Sequence, residues 1–166
     1  FSPKTVDQRL SIIAIDDASL TAIGQWPWPR KIYADLFKKL EQVKPAVLGF
    51  DIMLAEPSRL GGKDDQALAL DLDLISYPIV MPVEISPEVK PLPLFADSKN
   101  VDLGHVNLIV DADGLVRKFP PQASFGLKIA VAADVSPDIK SLSEKERIVY
   151  AGHTGKIKRI SFHQVL

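Results

Sequence analysis

Leu10-Ser11-Ile12-Ile13-Ala14-Ile15-Asp16-Asp17 (LSIIAIDD) is a short, isoleucine-rich run that ends in two carboxylates. It is apolar on both faces of an extended backbone, so it reads as a strand inside a sheet covered on both sides. Asp17-Ala18-Ser19-Leu20 can start a short helical turn that runs into Gly24. From Pro29 the period changes. Ile32, Tyr33, Leu36, Phe37, Leu40 and Val43 share one helical face, and Lys31, Asp35, Lys38, Lys39 and Gln42 take the other. Pro29 is expected as the first helical residue. Lys44-Pro45 ends the helix, because a residue before proline is disfavoured in the α region. Ala46 to Ile52 (AVLGFDI) then reads as a second buried strand carrying Asp51 near its end. Strand, helix, strand in this order predicts a βαβ unit, its two strands parallel neighbours with a right-handed crossover.

Farther along, Ala55 to Lys63 (AEPSRLGGK) is a polar loop, and Asp64 is expected to cap a helix with Leu68, Leu72 and Ile75 on one face. Pro78 to Ile85 (PIVMPVEI) predicts a third strand, which Pro82 marks as irregular or near an edge. Prolines at 87, 91 and 93 make Ser86 to Asn100 an extended loop. Two β-rich runs flank Asp113-Gly114, the signature of a hairpin with a type I′ turn. SFGLKIAVAADV reads as a helix weakened by Gly126. RIVYAG and GKIKRISFHQVL close the chain as a strand and a strand-to-helix segment. The fold class expected is α/β: a central, mainly parallel sheet with helices packed on it, plus the hairpin around Asp113-Gly114.

At 166 residues the chain is long enough for one domain with its own core, and its 46% hydrophobic content is that of a globular protein. Twenty basic against 21 acidic residues leave a net charge of -1, which gives no general attraction for nucleic acid. The absence of cysteine removes disulfides, thiolate metal sites and cysteine nucleophiles together. No apolar run reaches the ~18 residues of a membrane span. The chain begins at Phe1 without a methionine or a signal peptide, as expected of an excised piece whose membrane segments lie outside it.

If the first two strands are neighbours, Asp16, Asp17 and Asp51 converge at the carboxyl edge of the sheet, where open α/β sheets bind ligands. Three carboxylates there could hold a divalent cation through oxygen. Alternatively they could receive Arg30 as a charge-assisted pair, a purely structural role. Trp26 and Trp28 alternate with prolines in GQWPWPR, whose rings fix φ near about -65° and stiffen the loop. These tryptophans are either satellite core or the aromatic wall of a ligand pocket. Asp16, Asp17, Trp26, Trp28, Arg30 and Asp51 are therefore the candidate ligand-binding residues, with no catalytic residue, metal ligand or cofactor assigned. Asp111-Ala112-Asp113-Gly114 looks like the start of a calcium loop, but positions 5 and 12 would be Leu115 and Gln122, so a turn is the better reading. Gly152 to Gly155 (GHTG) lacks the Gly-Lys-Ser/Thr ending of a phosphate loop, and His105, His153 and His163 show no ligand spacing.

Taken in order, these motifs resemble one family. IAIDDASLTAIGQWPWPR with its following helix, VLGFDIMLAEPS and DDQALA are similar to the opening of a CHASE2 domain. GHVNLIVDADGLVRKFP resembles that family's Gly-x-x-Asn and Asp-x-Asp-Gly-x-x-Arg pattern, and RIVYAGHTGKIKRISFHQVL its Tyr-Ala-Gly turn and Ser-x-x-x-Val-Leu tail. Between RKFPP and SFGLKIA, members usually carry a further strand and loop that this chain nearly lacks. The resemblance implies the extracytoplasmic (periplasmic or extracellular) sensor domain of a bacterial transmembrane receptor, spanning residues 1–166 and binding an unknown small molecule or ion. It further implies partners in the receptor's own membrane helices and a histidine kinase, nucleotide or diguanylate cyclase or Ser/Thr kinase output, with a homodimer as a further partner. Lys156, Lys158 and Arg159, with no acid from Gly155 to Leu166, run against this placement, since positive charge marks the cytoplasmic flank of a span. Two other classes remain open: a cation-dependent hydrolase using Asp16, Asp17 and Asp51, and a ligand-free dimerisation module.

Overall fold

The computed structural model describes residues 7–118, 123–135 and 156–166. In chain order the elements are β1 (Ser11–Ala14), α1 (Asp17–Ile23), α2 (Arg30–Glu41), β2 (Leu48–Gly49), α3 (Gly62–Leu74), β3 (Ile79–Ile85), β4 (Glu88–Val89) and α4 (Pro93–Ala96). There follow β5 (Val101–His105), β6 (Ile109–Val110), β7 (Val116–Lys118), α5 (Phe125–Ala132), β8 (Lys158–Ser161) and a closing 3-10 turn, Phe162–Gln164. This is the mixed α/β class, with mostly parallel pairing. The expected strand RIVYAG and the turn GHTG lie outside the described residues.

The chain forms two compact units, one from Phe1–Trp28 with Val149–Leu166 and the other from Pro29–Ile148. In the first, β1 pairs in parallel with β8, Ser11 opposite Lys158 and Ala14 opposite Ser161. In the second, β3 is the central strand, with β2 parallel on one side and β5 parallel on the other. The expected ladder between the first two strands is therefore replaced: β1 takes β8 and β2 takes β3. Sequence order suggested a β1–β2 neighbourhood, but a two-residue β2 offers little ladder, and the last strand of the chain is β1's partner.

Pro82 does not mark an edge. It sits in the middle of β3 opposite Gly104 of β5. Backbone groups alternate sides along a strand. The Ile79 amide donates to Asn100 and the Val83 carbonyl accepts from Val106, both toward β5, whereas the Val80 carbonyl accepts from Phe50 toward β2. The Pro82 nitrogen therefore faces the β2 side, beyond the end of that two-residue strand, where no ladder bond is lost. Close strand-to-helix approach explains Gly104: a Cβ there would lie 2.5 Å from the Phe125 Cα and 2.8 Å from its backbone nitrogen.

The core of this unit comes from the stripe legible in α2 and α3. Tyr33, Ala34, Leu36 and Phe37 are buried, as are Leu68, Leu72 and Ile75 with Ile79, Val80 and Met81. Phe50 joins them, its ring 5.4 Å from that of Tyr33 and 5.1 Å from that of Phe37, both edge-on. The helix boundaries need small corrections. Pro29 precedes α2 as its cap residue rather than opening it, and the helix stops at Glu41, leaving Val43 exposed. Lys44 adopts the left-handed region (φ 46), and its amide donates to the Leu40 carbonyl.

Asp64 does not cap its own helix. Gly61, at φ 90, does so, and Asp64 sits in the first turn. Residues 86–100 are not one extended loop but the second half of the β3–β4 hairpin followed by α4, which Pro93 opens. The β6–β7 hairpin forms as predicted with another turn: Gly114 alone has positive φ (81), whereas a type I′ turn requires it at both central residues. The Gly114 amide donates to Asp111, and Arg117 grips Asp111 and Asp113 at 3.1 and 2.7 Å, which fixes the turn through side chains.

Candidate functional site

In the first unit the parallel register sets Ala14 and Ser161 level, so the chain leaves β1 beside the end of β8. Asp16 caps α1 from an extended backbone (φ -115, ψ 174). Its Oδ1 accepts from the Ser19 amide at 2.9 Å and the Ser19 hydroxyl at 2.7 Å, and its Oδ2 accepts from the Ser161 hydroxyl at 2.5 Å. Ser19 is fully buried; its oxygen accepts from the His163 amide at 3.2 Å and stands 3.3 Å from His163 Nδ1. One carboxylate thus ties together the ends of the first and last strands. It is a fastening, not a nucleophile site, because the serine hydroxyls point into it and Ser19 has no exposure.

The Ser161 hydroxyl, then the Ser19 hydroxyl and amide, hold the Asp16 carboxyl at about 2 against an ordinary 3.8. Because the folded value lies below the unfolded one, the stability this group contributes is present above about pH 4 and is lost as pH falls toward about 2. Unfolding midpoints at pH 5 and pH 2.5 are expected to show it: Asp16→Asn should differ most from wild type at the higher pH and least at the lower. A gap that stays constant with pH would contradict the assignment.

The same unit holds both tryptophans. Trp28 is buried; its indole N–H donates to the Gly24 carbonyl at 2.8 Å, and its ring lies 4.9 Å from Phe162. Trp26 packs edge-on against it at 5.4 Å but keeps 39% of its surface exposed. Asp17 is exposed, and no hydrogen bond or ion pair of its carboxylate is found among the described residues.

In the second unit Arg30 opens α2 and is buried. Its Nε donates to Asp65 Oδ1 at 2.8 Å, its Nη2 to the Glu56 carbonyl at 2.6 Å, and its guanidinium carbon stands 5.7 Å from the centre of the Phe95 ring. Its amide donates to Asp64 at 2.9 Å, so Asp64 caps the neighbouring helix instead of its own. Ser58 completes the network, its amide on Asp65 and its hydroxyl on Asp64. The carboxylate that receives Arg30 is thus Asp65, not Asp16, Asp17 or Asp51. Asp51 is exposed and its side chain makes no hydrogen bond among the described residues. No group of three or more His, Asp or Glu able to hold a metal ion occurs among the described residues.

Sequence reading missed Ser19, Ser161 and His163 in one unit, and Ser58 and Asp65 in the other. Ser161 was visible in the Ser-x-x-x-Val-Leu tail, and Asp65 in the DDQALA motif. Neither motif says what its residue meets. Among the described residues no helix is long and apolar enough to cross a membrane. Residues 2–166 match the family model described as CHASE2 domain. No curated protein and no solved structure matches the chain.

Proposed function

We propose, since the chain belongs to the CHASE2 domain family, that residues 1–166 act as one non-catalytic, signal-sensing domain of a membrane-bound receptor. CHASE2 is an extracytoplasmic sensory family whose members belong to membrane receptors with output domains. In this reading the domain stands on the periplasmic or extracellular side of a bacterial membrane, and a small molecule or ion sets the activity of a histidine kinase, cyclase or Ser/Thr kinase. Taken unit by unit, the candidates with exposed surface are Asp17 and, in part, Trp26 in the first unit and Asp51 in the second. Asp16, Trp28 and Arg30 are engaged in contacts within their own units.

The Asp16 fastening supports this reading. It joins residues 145 positions apart at the ends of the first and last strands, the segments from which a signal would leave the domain. A tie present in one conformer and absent in another biases the equilibrium even without ligand. In the full-length receptor, Asp16→Asn is therefore expected to change basal output several-fold at unchanged receptor abundance. Basal output identical to wild type would defeat the proposal.

A further inference from the structure

Helix α3 is apolar on two sides. Leu68 and Leu72 are 1% and 0% exposed, yet Leu70 and Leu74 are 67% and 79% exposed, more than any other leucine among the described residues. With Ala67, also exposed, they run at i, i+3 and i+7, and Lys63 extends the line one turn toward the N-terminus. Apolar residues on the outer side of a helix whose other side already packs on the core form a face still to be covered. We propose that this stripe receives a second copy of the chain, α3 packing antiparallel on the partner's α3 about a two-fold axis between Ala67 and Leu70.

Three observations select that occupant. The spacing 63-67-70-74 alternates four, three and four residues, the seam along which paired helices interlock. In the antiparallel register Ala67 faces the partner's Leu70, a small residue against a large one, and Lys63 faces the partner's Leu74. That same register sets Lys63 beside the partner's Asp73, and symmetry makes the contact twice. Lys63 is exposed and in no ion pair among the described residues; Asp73 is exposed and uses only Oδ1, toward Ser98. A parallel pairing would instead set Lys63 against its own copy, and an anionic lipid surface would meet Asp73 beside the leucines. Thirteen residues give a seam of only ~20 Å. Such a contact falls below the ~1,200 Å² of stable interfaces. The dimer is thus weak in dilute solution and strengthens where copies are held close together.

Sedimentation equilibrium of the 166-residue chain from about 10 μM to about 1 mM tests the pairing. The weight-average mass of the wild type is expected to rise toward a dimer. Leu70→Lys, which places like charges near the axis but leaves the core intact, should weaken association at least ~10-fold at an unchanged melting temperature. Lys63→Asp should weaken it, and Lys63→Asp with Asp73→Lys should restore it. If Leu70→Lys melts early, Leu74→Gln serves as the second outward-facing variant. A wild type that stays monomeric at the highest concentration, or association that persists in the leucine variants, overturns the proposal. So does a monomer that binds phosphatidylglycerol vesicles through the same leucines, since that would assign the stripe to the membrane.

Discussion

Asp65→Ala is expected to cost about 3–5 kcal/mol of unfolding free energy, because it leaves the Arg30 guanidinium charged and buried without its counter-ion. Both side chains are nearly enclosed, at 9% and 4% exposure. The loss is not confined to one contact. The Ser58 amide also loses its acceptor, and among the described residues the Arg30 guanidinium keeps the Glu56 carbonyl and the face of Phe95. Domains of this size are stable by about 5–15 kcal/mol, so a single carboxylate accounts for a substantial share. Removing both charges together, as Arg30→Met with Asp65→Leu, should return much of the loss, since apolar partners need no desolvation of ions. Lys38 and Asp71, 2.8 Å apart but with Lys38 exposed, form the control: Lys38→Ala should cost no more than about 1 kcal/mol. Urea unfolding of the three variants reads these differences directly. An Asp65→Ala protein as stable as Lys38→Ala would remove the network from its structural role.

Trp28→Ala should cost about 3–5 kcal/mol, and Trp26→Ala no more than about 1. The asymmetry follows from burial. Trp28 is 3% exposed and touches Phe162 and Trp26 while its N–H is bonded to Gly24; Trp26 leaves 39% of its surface in water. Because the chain has two tryptophans, each single variant also isolates one emission spectrum. Trp28 alone should emit at shorter wavelength and resist acrylamide, and Trp26 alone should be quenched. Equal quenching of both would mean that Trp28 is not core. Of the two tryptophans of GQWPWPR, Trp28 is packing, and Trp26 lies edge-on against it with part of its ring exposed.

Much of the fold was legible because its signals are local. The α2 stripe, the inward leucines of α3, the start of α1 after Asp16 and the hairpin at Gly114 all rest on neighbours within two turns of helix or one turn of chain. Where a local rule has two outcomes, the reading slipped. Pro82 can sit in a central strand provided its nitrogen faces a gap, and the gap exists only because β2 ends after two residues. Asp64 carried the right chemistry for a cap, but the helix it serves is α2.

Composition and periodicity were enough for the α/β class and the absence of thiol chemistry, because those properties are additive along the chain or repeat within a few residues, and motif order carried the likeness to the CHASE2 family. Which groups meet was another matter. Arg30 could have taken any of several aspartates, and only the packing of α2 against α3 brings Asp65, 35 residues away, within 2.8 Å. Likewise Asp16 finds Ser161 because β8 pairs with β1. A hydrogen bond falls off within an ångström of its optimum. Such partnerships are therefore fixed by the three-dimensional arrangement of the backbone, to which sequence separation is no guide.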